Sequence, residues 1–260
     1  MQLIFQLMSV SVPRIAIAMN RKGPACGFGR PKAWLFFSKS ELDCFEGRKV
    51  VFSFLGRSHV LNQQAISIDS VDEADQLRVN IYKLLARLLR EPPDAPLLSI
   101  LTQMTGDDSE LGQAISDLSK AASETGLAAS RDEYDVLFIG LGRGILTPFG
   151  SYYLTGFMHE KPLARLRDDM RPLGIARSDD VKDPEDHVAA LMEMMAGLIE
   201  GSFGAAQSVT VQKSFFDRHV GSWTPHFFKD LEACPSARFF RPVGRIGRLF
   251  MAIEQGAFEM

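Results

Sequence analysis

The stretch "SVDEADQLRVNIYKLLARLLREPP" (Ser70–Pro93) opens the regularly patterned part of the chain. Ser70 stands three residues before Glu73, which is the spacing of a capping box at a helix N-terminus. Apolar residues then recur every three or four positions, the period of a helix that buries one face. They are Ala74, Leu77, Ile81, Leu84, Leu85 and Leu88. Pro92 and Pro93 end the pattern, so the stretch predicts one well-delimited amphipathic helix.

Helical patterns continue toward the C-terminus. They are "APLLSILTQM", "SELGQAISDLSKAASET", "KPLARLRDDM", "DPEDHVAALMEMM" (Asp183–Met195), "VQKSFFDRHVGSWTPHFFKDLEAC" with a break near Pro225, and a last helix that begins at Pro242. In the fourth of these, Asp183 is the predicted N-cap and Pro184 the first helical residue. Alternating strands joined by hairpin turns are not found. The sequence therefore predicts an all-α fold, a single bundle of roughly eight to ten helices.

The segment "DEYDVLFIGLGRGILTPFGSYY" (Asp132–Tyr153) allows two interpretations. A strand followed by a glycine loop is typical of a dinucleotide-binding turn. The glycines, however, are spaced G-x-G-x-G, and Pro148 and Gly150 arrive where that motif needs a long helix. We therefore expect a helix that ends at Gly140 or Gly142, followed by an irregular, aromatic-rich surface loop.

The first 65 residues contain apolar residues without a sustained period. Pro13 and Arg14 interrupt the apolar stretch, and the basic residues follow it rather than precede it. A cleaved signal peptide has the opposite order and is not expected. We predict that residues 1–65 form a poorly ordered extension or reflect a misassigned start, and that residues 66–260 form the helical domain.

Charge is unevenly distributed along the chain. Residues 1–60 carry nine Lys/Arg and three Asp/Glu, a balance of +6, and the remainder carries −9. An acidic body argues against nucleic acid as a partner and favours a basic one.

The cysteines and the hydropathy of the chain indicate in which cellular compartment the protein resides. Cys26, Cys44 and Cys234 are far apart and odd in number, so they form neither a disulfide framework nor a metal-binding CxxC pair. This pattern fits a reducing compartment such as the cytoplasm. No apolar run reaches the roughly 18 residues of a membrane span, so stable membrane insertion is not expected.

Asp186 and His187 stand at the mouth of an apolar run and admit several roles. An Asp–His pair can orient a general base, but a nucleophilic mechanism also needs a serine or cysteine in its own structural context. Ser151 follows Gly150 but lacks the second glycine of a nucleophile elbow. A carboxylate in a first turn also bonds free backbone amides, and a histidine facing the apolar stripe also packs in a core. Catalytic pair, metal site, helix cap and binding edge therefore remain open at this stage.

Metal and cofactor sites find little support in the sequence. The histidines are His59, His159, His187, His219 and His226, and none of them are spaced as H-x-x-x-H or H-E-x-x-H. We expect no metal and no cofactor. The methionines Met192, Met194 and Met195 fill a core or, alternatively, line a groove that adapts to a variable apolar peptide.

Taken in chain order, several motifs resemble the TorD/DmsD/NarJ family of redox-enzyme maturation chaperones. They are "YDVLFIG" with Tyr134, Leu137, Phe138 and Gly140; "PFGSYY" with Pro148, Ser151 and Tyr153; "PEDH" with Pro184, Glu185, Asp186 and His187; and "FFDRHVGSW" followed by Phe239, Phe240 and Phe250. The likeness covers about residues 70–258. Each motif alone is weakly specific, and their combination on a helical background is more so.

The resemblance implies a cytoplasmic all-α chaperone without a catalytic reaction. Its partner would be the catalytic subunit of a molybdoenzyme, bound through its twin-arginine signal peptide and held until the molybdenum cofactor is inserted. The peptide-binding residues that the resemblance implies are Pro148, Gly150, Ser151, Tyr153, Asp186, His187, Trp223 and His219. Acids beside an adaptable apolar groove suit two guanidinium groups followed by an apolar stretch.

Two other classes of protein remain as alternatives. A helical enzyme would use Asp186 and His187 as acid and base in a deep polar pocket. A helical adaptor would bind a folded partner through its apolar faces, without regard to paired arginines. Selectivity for twin arginines separates the chaperone from both.

Overall fold

The computed structural model of the chain describes residues 15–17, 73–140, 144–178 and 181–260. All described residues belong to one compact unit. The predicted N-cap Ser70, the boundary at residue 65 and nearly all of the predicted extension lie outside the described residues, so these statements stay predictions.

The described residues form nine α-helices and two short strands. The helices are α1 (Glu73–Arg90), α2 (Ala95–Leu101), α3 (Glu110–Tyr134), α4 (Gly150–Thr155), α5 (Lys161–Met170), α6 (Val188–Glu200), α7 (Val209–Phe215), α8 (Thr224–Ala233) and α9 (Phe240–Glu259). Single π-helical stretches, Asp135–Ile139 and Phe216–Val220, continue α3 and α7. The prediction of an all-α fold is confirmed.

Helix α6 is the centre of the bundle. Nearly every one of its side chains is buried, which is the pattern of a helix surrounded by others. It packs against α1 and α7. Met192, Met194 and Met195 are each at most 1% exposed. The alternative in which these methionines line a peptide groove is therefore wrong, because the neighbouring helices cover them.

Helix α1 packs its predicted apolar face on α6, and Leu84, Leu85 and Leu88 are buried as expected. Leu77, one of the predicted apolar positions, is 39% exposed. In that part of α1 the inward-facing side chain is Arg78, whose guanidinium donates to both carboxylate oxygens of the buried Glu254 on α9. The ion pair thus replaces apolar packing at the N-terminal end of α1.

The C-terminal helices are tied to α3 by a cap from a distant residue. The carboxylate of Glu133 accepts hydrogen bonds from the backbone N–H groups of Arg238, Phe239 and Phe240, at 2.8–3.0 Å. These are the free amides at the start of α9, so Glu133 both satisfies them and complements the helix dipole. Helix α9 then packs along α8 and α3.

Two three-residue strands were not predicted. β1 (Ile15–Ile17) pairs antiparallel with β2 (Ile175–Arg177), with Ile15 opposite Arg177 and Ile17 opposite Ile175. The sequence shows no hairpin here because the two strands are separated by more than 150 residues, and a pattern of three residues is too short to recognise.

The predicted end of the helix near Gly140 is confirmed. The π-helical turn stops at Ile139, and Gly140 follows with a φ of 60°, a conformation that glycine adopts without strain. None of the helices in the described residues is long and apolar enough to cross a bilayer.

Candidate functional site

The two motifs that the sequence singled out are joined by backbone hydrogen bonds. Gly150 N–H donates to the carbonyl of Asp186 at 2.9 Å, and Val188 N–H donates to the carbonyl of Pro148 at the same distance. These bonds form an antiparallel bridge between Phe149 and His187. The segments Pro148–Ser151 and Asp186–Val188 therefore form one local structure, although some 35 residues separate them.

This bridge displaces the predicted start of helix α6. The helix begins at Val188 with His187 as its N-cap, and not at Pro184 with Asp183 as the cap. His187 has a ψ of 137°, an extended conformation that the bridge to Phe149 requires. Tertiary pairing thus outweighs the local capping signal of Asp183 and Pro184.

The predicted surface loop at Pro148–Tyr153 is also different in the structure. Gly150–Thr155 is a short helix, α4, and Pro148, Gly150 and Ser151 are buried. Gly150 lies against the indole of Trp223, and a Cβ at this position would come within 3.0 Å of Trp223 Nε1. The prediction of an exposed loop is therefore wrong, because the bridge and the Trp223 ring cover the segment.

Asp186 is buried, at 3% exposure, and its two carboxylate oxygens have different surroundings. Oδ2 accepts a hydrogen bond of 2.6 Å from the N–H of Ser151, in the first turn of α4. Oδ1 has no hydrogen-bond partner among the described residues. Oδ2 therefore caps the N-terminus of α4 from outside that helix, whereas Oδ1 is an acceptor available to a ligand.

His187 is buried and acts as a backbone cap for its own helix. Its Nδ1 accepts a hydrogen bond of 3.1 Å from the N–H of Ala189, so this nitrogen carries no proton. The ring packs edge-on against Phe149, with centroids 4.9 Å apart. Burial, with a smaller contribution from the charge of Arg90, lowers the pKa of His187 to about 3. The two neighbouring side chains thus bond amides of different helices.

A cavity of about 510 Å³ lies beside Asp186, between α4, α5, α6 and the π-helical turn that follows α7. We call it the first cavity. Its charged and polar lining consists of Arg165, Asp168, Asp169, Asp186, Arg218 and His219. Its other lining residues are Gly150, Leu154, Pro162, Leu166, Leu191 and Trp223. The cavity thus combines carboxylates with an apolar wall.

The predicted site residues divide into two groups. Four of them line the first cavity, namely Gly150, Asp186, His219 and Trp223. The other four, Pro148, Ser151, Tyr153 and His187, surround these without lining it. The structure therefore gathers the predicted residues in one region but gives half of them a supporting position.

Trp223 forms a wall of the first cavity and is held on several sides. Its Nε1 donates to the carbonyl of His219 at 2.8 Å. The ring of Tyr153 packs on it with centroids 5.4 Å apart. Tyr153 in turn donates from its hydroxyl to Asp230 at 3.1 Å, and burial together with this carboxylate raises its pKa. Tyr153 therefore positions Trp223 from outside the cavity.

Sequence reasoning missed the most connected polar group of the first cavity. Asp169 Oδ2 accepts hydrogen bonds of 2.7 Å from both Arg218 Nη1 and His219 Nε2. Burial lowers the pKa of His219, although the carboxylate of Asp169 opposes this effect. Burial raises the pKa of Asp169, but the hydrogen bonds from His219 and Arg218 lower it by more, so the pKa is lowered on balance.

A signal for this group was present in the sequence. In "KPLARLRDDM", Arg165, Asp168 and Asp169 are spaced i, i+3 and i+4, so they share one helix face next to Leu166 and Pro162. The sequence predicts a helix for this segment, but a charged helix face is usually solvated and does not by itself indicate a site. Only the structure shows that this face meets Arg218 and His219, 49 and 50 residues later.

Glu185, the remaining acid of the PEDH motif, is bound to arginines of the protein itself. Its carboxylate accepts from Arg167 Nη2 at 2.7 Å and lies 3.7 Å from Arg177. Burial raises the pKa of Glu185, but the bond from Arg167 and the two positive charges lower it overall. Glu185 thus links the motif to α5 and β2, and Asp186 is left as the acid of the motif that lines the cavity.

Comparison with known families identifies relatives of this region. The family described as nitrate reductase delta subunit matches residues 105–229. The matched segment contains every residue that lines the first cavity.

Curated relatives agree with this match. A chaperone protein TorD of Vibrio cholerae is 27% identical over 126 residues, which are 46% of this chain and 56% of that protein. The chain thus matches only about half the length of that relative. A TorD of Shewanella loihica is 22% identical over 71% of this chain and 95% of that protein. A protein of Haemophilus influenzae named as the Tat proofreading chaperone DmsD is 27% identical, over 63% of this chain and 83% of that protein.

One solved structure is also similar. It comes from Archaeoglobus fulgidus and is described as a candidate redox enzyme maturation protein. The alignment covers 75% of this chain and 99% of that chain, with 18% identity and a TM-score of 0.47.

Proposed function

We propose that this chain, which matches the nitrate reductase delta subunit family over residues 105–229 and is similar to TorD and DmsD chaperones, binds the twin-arginine signal peptide of a molybdoenzyme catalytic subunit. It does so in the cytoplasm and holds the client until the molybdenum cofactor has been inserted. Its role is binding, without a catalytic reaction. The relatives named as TorD chaperones and as a Tat proofreading chaperone support this proposal.

The observation that carries the proposal is the environment of Asp186. A carboxylate that is 97% buried and uses one oxygen to cap α4 keeps a second oxygen, Oδ1, without a partner among the described residues. Such a group is costly to bury unless a donor reaches it. A guanidinium is well suited, because it is always charged and presents several N–H donors in a fixed plane.

The rest of the first cavity fits the same ligand. Its wall includes Leu154, Leu166, Leu191 and Trp223, which suits the methylene stem of an arginine and the apolar residues that follow it in a signal peptide. Three aspartates line the cavity together with Arg165 and Arg218. Asp169 is paired with Arg218 and Asp168 with Arg171, so Asp186 is the lining carboxylate without an ion pair among the described residues.

The enzyme alternative is weakened by the role of His187. Its Nδ1 is occupied by the Ala189 amide, and burial keeps the ring neutral down to low pH. A general base needs a nitrogen within reach of a substrate, and His187 is not among the residues that line the first cavity. The adaptor alternative remains testable, since an adaptor would not distinguish arginine from glutamine.

The proposal is tested by isothermal titration calorimetry with two synthetic peptides. One carries adjacent arginines followed by an apolar run, and in the other glutamines replace both arginines. We expect Asp186→Asn to weaken the arginine peptide by about 2–5 kcal/mol, the typical loss when one partner of a buried charge pair is removed. A micromolar complex has only about 8 kcal/mol in total, so this loss is easily measured. Asparagine can still accept the Ser151 amide, so the fold should be retained.

Asp117→Asn is the matched control. It removes the same charge from α3, where Asp117 pairs with Arg245 and lines no cavity near Asp186. This variant should bind both peptides as the unchanged protein does. Equal losses for the two peptides in Asp186→Asn, or an unchanged affinity for the arginine peptide, would refute the proposal and favour the cap role alone.

A further inference from the structure

A second cavity adjoins the first. It has a volume of about 340 Å³, and its wall includes Pro172, Leu173, Val211 and Phe215. Asp169 and Arg218 line both cavities. The ion pair between these two residues, with Arg218 Nη1 at 2.7 Å from Asp169 Oδ2, therefore stands at the junction of the two cavities.

The two donors to Asp169 are held very differently. The side chain of His219 is 7% exposed, and its ring packs against Phe215 with centroids 5.1 Å apart. The side chain of Arg218 is 58% exposed. Moving His219 would disrupt buried packing, whereas moving Arg218 transfers a largely hydrated guanidinium into water. Of the two partners of Asp169, Arg218 is the exchangeable one.

The guanidinium of Arg218 makes one further hydrogen bond. Its Nη2 donates to Ser214 Oγ at 3.1 Å, one turn back along the helix. This bond lies on the same side chain but does not involve Asp169. A partly exposed ion pair of this kind typically contributes no more than about 1 kcal/mol, because water and salt screen it. Breaking the Arg218–Asp169 pair is therefore inexpensive.

We propose that Arg218 is an internal competitor of the client's arginines. In the complex one peptide guanidinium replaces Arg218 on Asp169, His219 keeps its bond to the same carboxylate, and the displaced Arg218 side chain no longer separates the two cavities. The peptide then extends from Asp186 in the first cavity toward the apolar wall of the second. This inference rests on the proposed function and assigns to Arg218 the control of affinity.

The exchange conserves charge at the junction. One guanidinium leaves Asp169 and another arrives, so neither an unpaired carboxylate nor an unpaired arginine is left in a partly desolvated place. A peptide with glutamines cannot make this exchange, because an amide does not compensate the loss of the Arg218 charge beside Asp169. Competition by Arg218 thus lowers the affinity for a peptide that brings a guanidinium to Asp169. A glutamine peptide leaves the Arg218–Asp169 pair in place, so its affinity does not depend on Arg218.

The test is the affinity of Arg218→Gln for the arginine and glutamine peptides, measured by calorimetry. Removal of the competitor should tighten binding of the arginine peptide roughly two- to fivefold, the range expected for an exposed ion pair. The glutamine peptide should gain nothing. In an Asp169→Asn background the gain should vanish, since the contested carboxylate is then neutral, and this double-mutant cycle isolates the coupling between the two residues.

Arg245→Gln is the matched control for the change in net charge. Arg245 also forms an ion pair with an aspartate, Asp117, at 2.8 Å, and it lines neither cavity. A similar gain in this variant would show that net charge alone acts, and it would overturn the inference. Weaker or unchanged binding of the arginine peptide by Arg218→Gln would overturn it as well.

The outcomes separate this inference from the proposed function. If the unchanged protein binds the arginine peptide in a manner that depends on Asp186, the proposed function stands whatever Arg218→Gln shows. If Asp186→Asn has no selective effect, the proposed function fails and the inference fails with it. An Asp186-dependent complex that is insensitive to Arg218→Gln refutes only the inference.

Discussion

Two aspartate–histidine pairs among the described residues differ in burial, in separation along the chain and in what their side chains bond. Asp186 and His187 are consecutive in the chain and buried, and their side chains bond the backbone amides of Ser151 and Ala189. Asp169 and His219 are 50 residues apart, lie beside the first cavity, and bond each other at 2.7 Å. Asp186 and His187, which are adjacent in the sequence, each cap a helix N-terminus and do not bond each other. Asp169 and His219, which are distant in the sequence, form a direct hydrogen bond.

The difference shows how little adjacency in sequence says about contact. At a helix entrance, consecutive side chains serve different amides, because each backbone N–H of the first turn needs its own acceptor. Residues on two packed helices have no such constraint and meet face to face. Asp186 is therefore a candidate binding residue because of its unpartnered oxygen beside the cavity and not because of its neighbour His187.

The largest expected effect concerns the pH dependence of stability at His187. Its pKa is about 3 in the folded protein and close to 6.5 in the unfolded chain. Below pH 6.5 the unfolded state therefore binds a proton that the folded state rejects, so stability falls as pH falls, by about 1.4 kcal/mol per pH unit. The loss should reach about 3 kcal/mol at pH 4.5. His187→Asn, which keeps a good N-cap acceptor, should lack this loss when urea unfolding is compared at pH 7.5 and pH 4.5.

His219→Gln serves as the comparison for that experiment. Burial lowers the pKa of His219 as well, but Asp169 stabilises the protonated ring and opposes the shift. The sign is the same, so His219 also contributes stability above pH 6.5 that is lost on acidification, but the amount should be smaller. Equal changes in the two variants would mean that burial dominates at both positions and that the Asp169 contact contributes little.

The second effect concerns the aspartates of the two pairs. Asp186→Ala leaves the Ser151 amide without its acceptor in a buried place and should lower the free energy of unfolding by about 1–3 kcal/mol. Asp169→Ala removes partly exposed ion pairs and should lower it by less than about 1 kcal/mol. Urea unfolding at pH 7.5 measures both. A larger loss of stability for Asp169→Ala than for Asp186→Ala would show that Asp169, and not Asp186, has the structural role.

The sequence predicted the fold well where the signal is local and repeated. The apolar period of α1, the prolines that follow it and the apolar run of α6 each define a helix, and the bundle follows because such faces must be covered. The strands β1 and β2 escaped prediction because three residues carry no usable period. The start of α6 was misplaced because a long-range bridge to Phe149 holds His187 extended.

The candidate site was only partly predictable. Asp186 and Trp223 belong to motifs whose residues are unusual in type and spacing, and they line the first cavity. Asp169 belongs to an ordinary charged helix. Arg218 stands in the same motif as Trp223, but its meeting with Asp169 depends on how α5 packs near the turn after α7. A single sequence does not show how these elements pack, so the contact between Asp169 and Arg218 is seen only in the structure.

The smallest expected effect distinguishes the backbone of Ser151 from its side chain. Asp186 is held by the Ser151 N–H, whereas Ser151 Oγ is buried and has no partner among the described residues. Ser151→Ala removes this unpartnered hydroxyl and leaves the amide in place, so stability should change by no more than about 0.5 kcal/mol and can rise slightly. The affinity for the arginine peptide should also be unchanged, since Ser151 does not line the first cavity. A loss of 2 kcal/mol or so in either quantity would show that the hydroxyl contacts Asp186 or the ligand, and the division of labour between the two oxygens of Asp186 would then be wrong.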